Sequence, residues 1–214
     1  FEDRENRFLF IGLNTGDGLH IFDKSTGRTI MPDFPAPPDQ LREDLRSVRN
    51  IRQGPDGTIW VLSRHTLYRF NPETMRLEVP KQPPLYSLDF KSNLYNQFDI
   101  DPSGDLWLST SLSGVIRYNP ATGSSAHFLP DAHQPGAIAT NVVGAIAVDG
   151  KGRTWYGSRS KSTYGYYSPA ETRFVYLDAV GQQTNELTTL SIVGFFADNK
   201  GDIWACTEQG LLHF

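Results

Sequence analysis

Positively charged and aromatic side chains in the loops of this 214-residue sequence have the types best suited to hold a ligand. Arginine, lysine and histidine donate charge-assisted hydrogen bonds, and tyrosine rings offer flat faces against which a sugar ring stacks. The candidate ligand-binding residues are Arg64, His65, Tyr86, Tyr95, Arg159, Lys161 and Tyr164. For each of them the alternative is an ordinary solvated loop side chain, so the elements that position the loops decide between the two interpretations.

Catalytic and metal-binding residues are not predicted. An acid–base enzyme needs a histidine and a carboxylate that converge, and the five histidines occupy no common position. The stretch 99–104 (DIDPSG) resembles the start of a calcium loop, but Thr110 stands where an EF-hand has a bidentate glutamate. A tight turn explains the same residues. We therefore expect no catalytic residue, no metal and no cofactor, and we expect Cys206 to be a small buried hydrophobic side chain.

One pattern of residues recurs five times along the chain, at intervals of 47 to 50 residues. Each copy has an aromatic anchor on a strand, and the anchors are Phe10, Trp60, Trp107, Trp155 and Trp204. A glycine stands three residues before each tryptophan, and these glycines are Gly57, Gly104, Gly152 and Gly201. A repeat of this length indicates a repeated structural unit. The anchors are therefore expected to pack between units rather than to bind a ligand.

Each unit contains short runs of β-branched and aromatic residues separated by Gly, Pro, Asn and Asp, as is typical of strands and turns. The second run, for example 59–62 (IWVL), is apolar at consecutive positions, so both faces of that strand must be buried. Small four-stranded sheets packed face to face bury both faces. This predicts an all-β β-propeller rather than the rival parallel β-helix. At most one helical turn is expected, at 39–47.

The pattern predicts 18 strands in about 4.5 four-stranded blades, with residues 1–6 too short and too charged for the first innermost strand. The repeat units are approximately 1–46, 47–94, 95–140, 141–189 and 190–214, within a single propeller segment 1–214. This count favours a segment of a seven-bladed propeller, and a closed five-bladed ring is the alternative. The connections between units are long, whereas the turns after the first and third strands of a unit are tight. The long connections and the loops after the second strands emerge on the same face of a propeller, and this face is the expected functional face.

The composition excludes several classes of partner. The net charge of −4 is spread along the chain, so no basic stripe indicates nucleic acid or an anionic membrane surface. No stretch of 18 apolar residues is present, so a membrane connection is expected only through a longer parent protein. The single cysteine excludes an internal disulfide.

Two stretches carry a family resemblance. The stretch 128–158 has an aromatic end strand, a polar loop, Asn-Val-Val before an aliphatic strand, and then Asp-x-x-Gly-x-x-Trp-x-Gly-Ser. The stretch 184–214 has the same order and ends in Gly-Leu-Leu-x-Phe. This order resembles the two-component regulator propeller repeat, which forms the periplasmic sensor region of hybrid two-component systems of the Bacteroidetes type. The resemblance covers almost the whole chain and is weakest around Phe10.

The resemblance implies a ligand-sensing propeller that recognises an oligosaccharide or another small ligand and relays the signal to a distant histidine kinase. It implies a periplasmic location and no enzymatic activity in this segment. The implied partners are the remaining blades and domains of the parent protein, and a second copy in a homodimer. Streptogramin lyases, which are single seven-bladed propellers, have units similar to 101–123, so a lyase-like enzyme is one alternative. A protein-interaction scaffold is the other.

Overall fold

The computed structural model describes residues 1–13, 18–32, 47–80, 94–158, 163–177 and 191–214. Over these residues the chain forms 18 β-strands in five antiparallel sheets and no helix. This confirms the all-β propeller fold and the number of strands. The helical turn expected at 39–47 lies almost wholly outside the described residues.

The five sheets follow one another along the chain, and strands adjacent in sequence pair with each other. The first sheet consists of β1 (Phe8–Gly12), β2 (Leu19–Asp23) and β3 (Arg28–Ile30). The second consists of β4 (Asn50–Gln53), β5 (Ile59–Leu62), β6 (Leu67–Asn71) and β7 (Arg76–Glu78). The third consists of β8 (Tyr95–Ile100), β9 (Leu106–Thr110), β10 (Val115–Asn119) and β11 (Ser124–Phe128). The fourth consists of β12 (Ala145–Val148), β13 (Thr154–Gly157), β14 (Tyr164–Ser168) and β15 (Arg173–Tyr176), and the fifth of β16 (Ile192–Ala197), β17 (Ile203–Thr207) and β18 (Gly210–His213).

The strands of a complete sheet are named a to d in chain order, so each tryptophan lies on strand b. The a strands β4, β8, β12 and β16 contact one another from sheet to sheet. They therefore lie innermost, and the sheets are arranged in chain order around a common axis, as blades are in a propeller.

Four of the five aromatic anchors pack between consecutive sheets, and the fifth, Trp204, stacks on His213 of its own sheet. The ring contacts are Phe10 with Phe70, Trp60 with Tyr118, Trp107 with Tyr167 and Trp155 with Phe214, with centroids 5.2, 6.5, 4.9 and 4.9 Å apart. The residue after an anchor points the opposite way, and Val61 accordingly lies in the core shared with the first sheet. Each internal sheet is thus covered on both faces, which explains why its b strand is apolar at consecutive positions.

Residues at the N-terminus extend the first sheet. Glu2 forms a β-bridge with Leu9, and Phe1 and Phe10 exchange backbone hydrogen bonds of 3.0 and 2.7 Å. Asn6, with a φ of 54°, closes the turn that a glycine closes in the other sheets. The stretch is too short for a full a strand, as expected, but it supplies part of the pairing of one.

One face of the fifth sheet is open. Phe196 and Leu211 pair with Trp204 and Cys206, so all four side chains lie on the same side of the sheet. Phe196 is 62% and Leu211 is 65% exposed. Cys206 is also exposed, so the expectation of a buried cysteine is wrong. The equivalent residue of the second sheet, Leu62, is buried because the third sheet covers it.

Candidate functional site

Two sets of connections meet at one end of the propeller. Backbone hydrogen bonds join residues at or just before the start of strand a to residues at or just after the end of strand b. These bonds include Arg49 N to Leu62 O (2.7 Å), Tyr95 N to Arg64 O (2.8 Å) and Val143 N to Thr110 O (2.9 Å). We name this end the loop face, and its described residues include 47–50, 63–66, 94–96, 111–114 and 141–144. The opposite end, which holds the tight a–b and c–d turns, is named the turn face.

Two arginines on the loop face lie within electrostatic range of each other. Burial lowers the pKa of the Arg49 guanidinium, and the positive charge of Arg64 lowers it further. Among the described residues, the buried Arg49 Nε has no acceptor and the buried Asn50 Oδ1 has no donor. An unpaired buried donor beside a second positive charge favours an anionic group, because an anion offsets both costs.

The predicted ligand residues divide between two places. Arg64, His65 and Tyr95 lie together on the loop face at the boundary between the second and third sheets. Tyr164 begins β14 and lies 6.0 Å, centroid to centroid, from Phe214 at the boundary with the fifth sheet.

Neither described tyrosine offers the flat free face that was expected, since Tyr95 and Tyr164 are both buried in the core between sheets. Tyr86, Arg159 and Lys161 lie outside the described residues. The sequence analysis did not identify Arg49 and Asn50, which the structure adds to the loop face.

The turn face is built around an aspartate that holds the tryptophan of its own sheet. The Trp Nε1–Asp Oδ2 distances are 3.0 Å for Trp107 and Asp101, 2.9 Å for Trp155 and Asp149, and 3.1 Å for Trp204 and Asp198. The other oxygen of each carboxylate accepts backbone N–H groups of the turn. Residues 101–104 of the calcium-like stretch form this turn, whereas Asp99 lies on β8 and pairs with Arg52. The indole N–H is the main cause of a lowered pKa at Asp198.

The described histidines do not form a shared acid–base site. Among the described residues, one histidine lies within 4 Å of a carboxylate. This is His213, whose Nε2 lies 3.5 Å from Asp202 Oδ2. This pair lies at the turn face on the open side of the fifth sheet, away from the axis where a lyase-like mechanism needs its residues.

Comparison with known proteins gives distant relatives. No protein-family model matches the sequence. Histidine kinase P4 of Formosa agariphila is 24% identical over 160 residues, which are 73% of this chain and 11% of the kinase. Photosystem II assembly lipoprotein Ycf48 of Prochlorococcus marinus is 30% identical over 110 residues, 50% of this chain and 30% of the lipoprotein. The chain therefore spans less than a third of the length of either relative.

Solved structures share the fold. The extracellular domain of the putative hybrid two-component system BT4673 of B. thetaiotaomicron superposes with a TM-score of 0.68 at 20% identity, over 96% of this chain and 25% of that one. Virginiamycin B lyase from Staphylococcus aureus has a TM-score of 0.69 at 11% identity, over 100% of this chain and 68% of the lyase. Identities this low establish the propeller fold alone. The two-component protein and the histidine kinase among these relatives agree with the resemblance inferred from the sequence.

Proposed function

We propose that this chain is a ligand-sensing region of an extracytoplasmic two-component signalling protein and that it binds an oligosaccharide on the loop face. The observation that carries the proposal is the buried Arg49 Nε, which has no acceptor among the described residues and lies within electrostatic range of Arg64 on a rigid sheet scaffold. Binding residues held at the ends of packed strands are a common arrangement for recognition without chemistry. The similarity to a histidine kinase and to a two-component sensor supports the signalling role.

The chemistry of the loop face favours an acidic sugar. A carboxylate or sulfate group would accept hydrogen bonds from Arg49 Nε and from the Arg64 guanidinium. A neighbouring sugar hydroxyl would donate to Asn50 Oδ1, which is buried without a donor among the described residues. One acidic monosaccharide unit would thus bind all three groups: Arg49 Nε and Asn50 Oδ1, which have no partner among the described residues, and the guanidinium of Arg64, which experiences the like charge of Arg49.

The rest of the proposed protein supplies the signal relay. The open face with Phe196 and Leu211 would pack against a further blade, as the preceding sheets pack on one another, within a seven-bladed ring. A histidine kinase, a membrane connection and a homodimer contact would belong to other parts of the parent protein. Among the described residues there is no helix that is long and apolar enough to cross a membrane.

Titration calorimetry with galacturonan oligosaccharides tests the proposal, with cello-oligosaccharides of the same length as the neutral comparison. Arg64→Ala is expected to weaken binding of the acidic ligand about tenfold or more, because it removes a charge-assisted hydrogen bond. Arg64→Lys retains the charge and is expected to lose less. The matched control is Arg28→Ala, which removes an exposed arginine from the first sheet. Equal binding of the neutral ligand, or an equal loss in the control, would contradict the proposal.

A further inference from the structure

The second sheet departs from the aspartate–tryptophan pairing of the turn face. Its turn has the same backbone hydrogen bonds as the third, with Gly54 N to Thr58 O at 2.8 Å and Asp101 N to Asp105 O at 2.9 Å. Gly54 therefore stands at the position of Asp101. The tryptophan of this sheet, Trp60, has no aspartate beneath its indole.

The indole N–H of Trp60 is left without an acceptor as a result. Three other tryptophans donate to their aspartates, whereas Trp60 Nε1 has no hydrogen bond among the described residues. Its side chain is nevertheless almost fully buried, since Trp60 is only 4% exposed. Asp56 does not substitute, because its two oxygens accept from the backbone and hydroxyl of Thr58. The indole nitrogen itself is not fully buried, so a ligand or water can reach it and accept its hydrogen bond.

Because Gly54 has no side chain where the other sheets have an aspartate, a groove is left between the second and third sheets. The groove has a volume of about 670 Å³, within the range of small-molecule sites, and is lined by Gly54, Pro55, Trp60, Tyr118 and Pro120 among other residues. Tyr118 is 2% exposed, and its hydroxyl also has no hydrogen bond among the described residues. Burial alone accounts for the raised pKa of this hydroxyl. Two polar groups that have no hydrogen bond among the described residues, and whose polar atoms are open to solvent, thus line one groove.

The charged groups around the groove are already paired with one another. Glu78 accepts from Arg69 at 2.6 Å and from Asn71 at 2.9 Å, and these bonds lower its pKa. Asp105 on the other wall accepts from Arg117 at 2.7 Å and from Asn119 at 2.6 Å. Among the described residues of the lining, three carboxylates, those of Asp56, Glu78 and Asp105, outnumber the one guanidinium, that of Arg69. This excess of negative charge disfavours an anionic ligand.

We propose that the groove binds a neutral ring bearing hydroxyl groups, of the size of one sugar unit. One ligand oxygen accepts from Trp60 Nε1, a second pairs with the Tyr118 hydroxyl, and the apolar edge of the ring lies on Pro55 and Pro120. The site is on the turn face, at the opposite end of the sheets from Arg49 and Arg64, and takes a neutral rather than an acidic ligand. It therefore does not depend on the function proposed for the loop face.

Indole N–H resonances in ¹H–¹⁵N correlation spectra test the site directly, since the chain has four tryptophans. Methyl α-glucopyranoside and methyl α-mannopyranoside are the neutral probes, and glucuronate is the acidic one. Trp60→Phe assigns the resonance of Trp60 and is expected to weaken binding about tenfold, because it removes the indole donor. A second variant, Gly54→Asp with Asp56→Ser, copies Asp101 and Ser103 of the third sheet. It gives the indole an acceptor and occupies the space next to it.

A saturable shift of the Trp60 resonance with a neutral glycoside, lost in the Gly54→Asp, Asp56→Ser variant, is the expected result. The second variant retains the tryptophan, so it separates loss of the site from loss of folding. No saturable shift with either neutral probe would overturn the proposal, as would unchanged binding in that variant. A shift with glucuronate alone would also overturn it. Arg64→Ala is expected to leave the shift unchanged, so this test and that of the loop face fail independently.

Discussion

Removal of the Asp149 carboxylate tests whether the aspartate–tryptophan turn holds the sheets together. Asp149 accepts four hydrogen bonds: from Lys151 N at 2.9 Å, Arg153 N at 2.9 Å, Arg153 Nε at 2.6 Å and Trp155 Nε1 at 2.9 Å. The residue is 4% exposed, and Trp155 packs between the fourth and fifth sheets. In Asp149→Ala, donors that are exposed to solvent form hydrogen bonds with water instead. The indole N–H, which is buried, and a backbone N–H of the turn lose their acceptor without replacement.

Two donors that lose their acceptor in a buried turn cost about 3 kcal/mol together, at 1–3 kcal/mol each. In a chain of this length such a loss lowers the melting temperature by about 6–12 °C. Differential scanning calorimetry of the wild type and of Asp149→Ala measures this shift. Asp149→Asn, which retains one carbonyl oxygen, is expected to fall between them.

The matched control is Asp198→Ala in the fifth sheet. Asp198 makes the same backbone and indole hydrogen bonds, but its sheet has one open face, so water replaces the lost acceptor. The loss is expected to be less than half of that at Asp149. Equal losses at the two positions, or a loss below about 1 kcal/mol at Asp149, would refute the reasoning that burial sets the strength of this turn.

Three further predictions concern packing, pH and reactivity. In Gly150→Ala the new Cβ would lie 2.7 Å from the Cα of Gly201, a backbone contact that cannot yield, so thermal unfolding should show a loss of about 1–3 kcal/mol. Gly194→Ala, with nothing within 4 Å of its new Cβ, is the control, and an equal loss there would contradict the contact argument. The folded-state pKa of Asp198 lies below its ordinary value of 3.8, so its contribution to stability is present above that value and is lost as the pH falls through the folded-state pKa. Acid titrations of Asp198→Asn should therefore show a weaker dependence of stability on pH in that range, and an unchanged profile would count against the assignment. Cys206 should react with a thiol reagent in the native state at nearly the rate seen after unfolding, whereas strong protection would show that its face is covered.

The strand pattern could be predicted from the sequence because turns and buried strands have distinctive residue types. Gly104 has a φ of 89° and Gly152 a φ of 74°, a conformation in which glycine is strongly preferred, so the a–b turns are visible in the sequence. Asn119 likewise marks a c–d turn, and its Oδ1 accepts from Thr122 N at 2.9 Å. These local signals need no knowledge of distant contacts.

The candidate site depends on contacts that the sequence does not state. Arg49 and Arg64 are 15 positions apart, and they come within electrostatic range of each other because Arg49 N bonds to Leu62 O at the end of strand b. The burial of Tyr95 likewise depends on the core between the second and third sheets. The same reason explains the wrong expectation for Cys206. Strand periodicity places it on the face of Trp204, but a neighbouring sheet decides whether that face is covered.

The significance of Gly54 becomes visible only when the repeats of this sequence are compared with one another. A glycine in a turn is ordinary on its own, and the φ of Gly54 does not require one. Its meaning comes from the aspartates at the same position in three other sheets and from the indole that it leaves unpaired.

A crystal structure of the chain with a galacturonan oligosaccharide tests the central claim most directly. The account predicts a sugar carboxylate on the loop face, within hydrogen-bond distance (about 3 Å) of Arg49 Nε and the Arg64 guanidinium. A sugar bound elsewhere, with both guanidiniums left free, would contradict the assignment of the loop face as the sensing site.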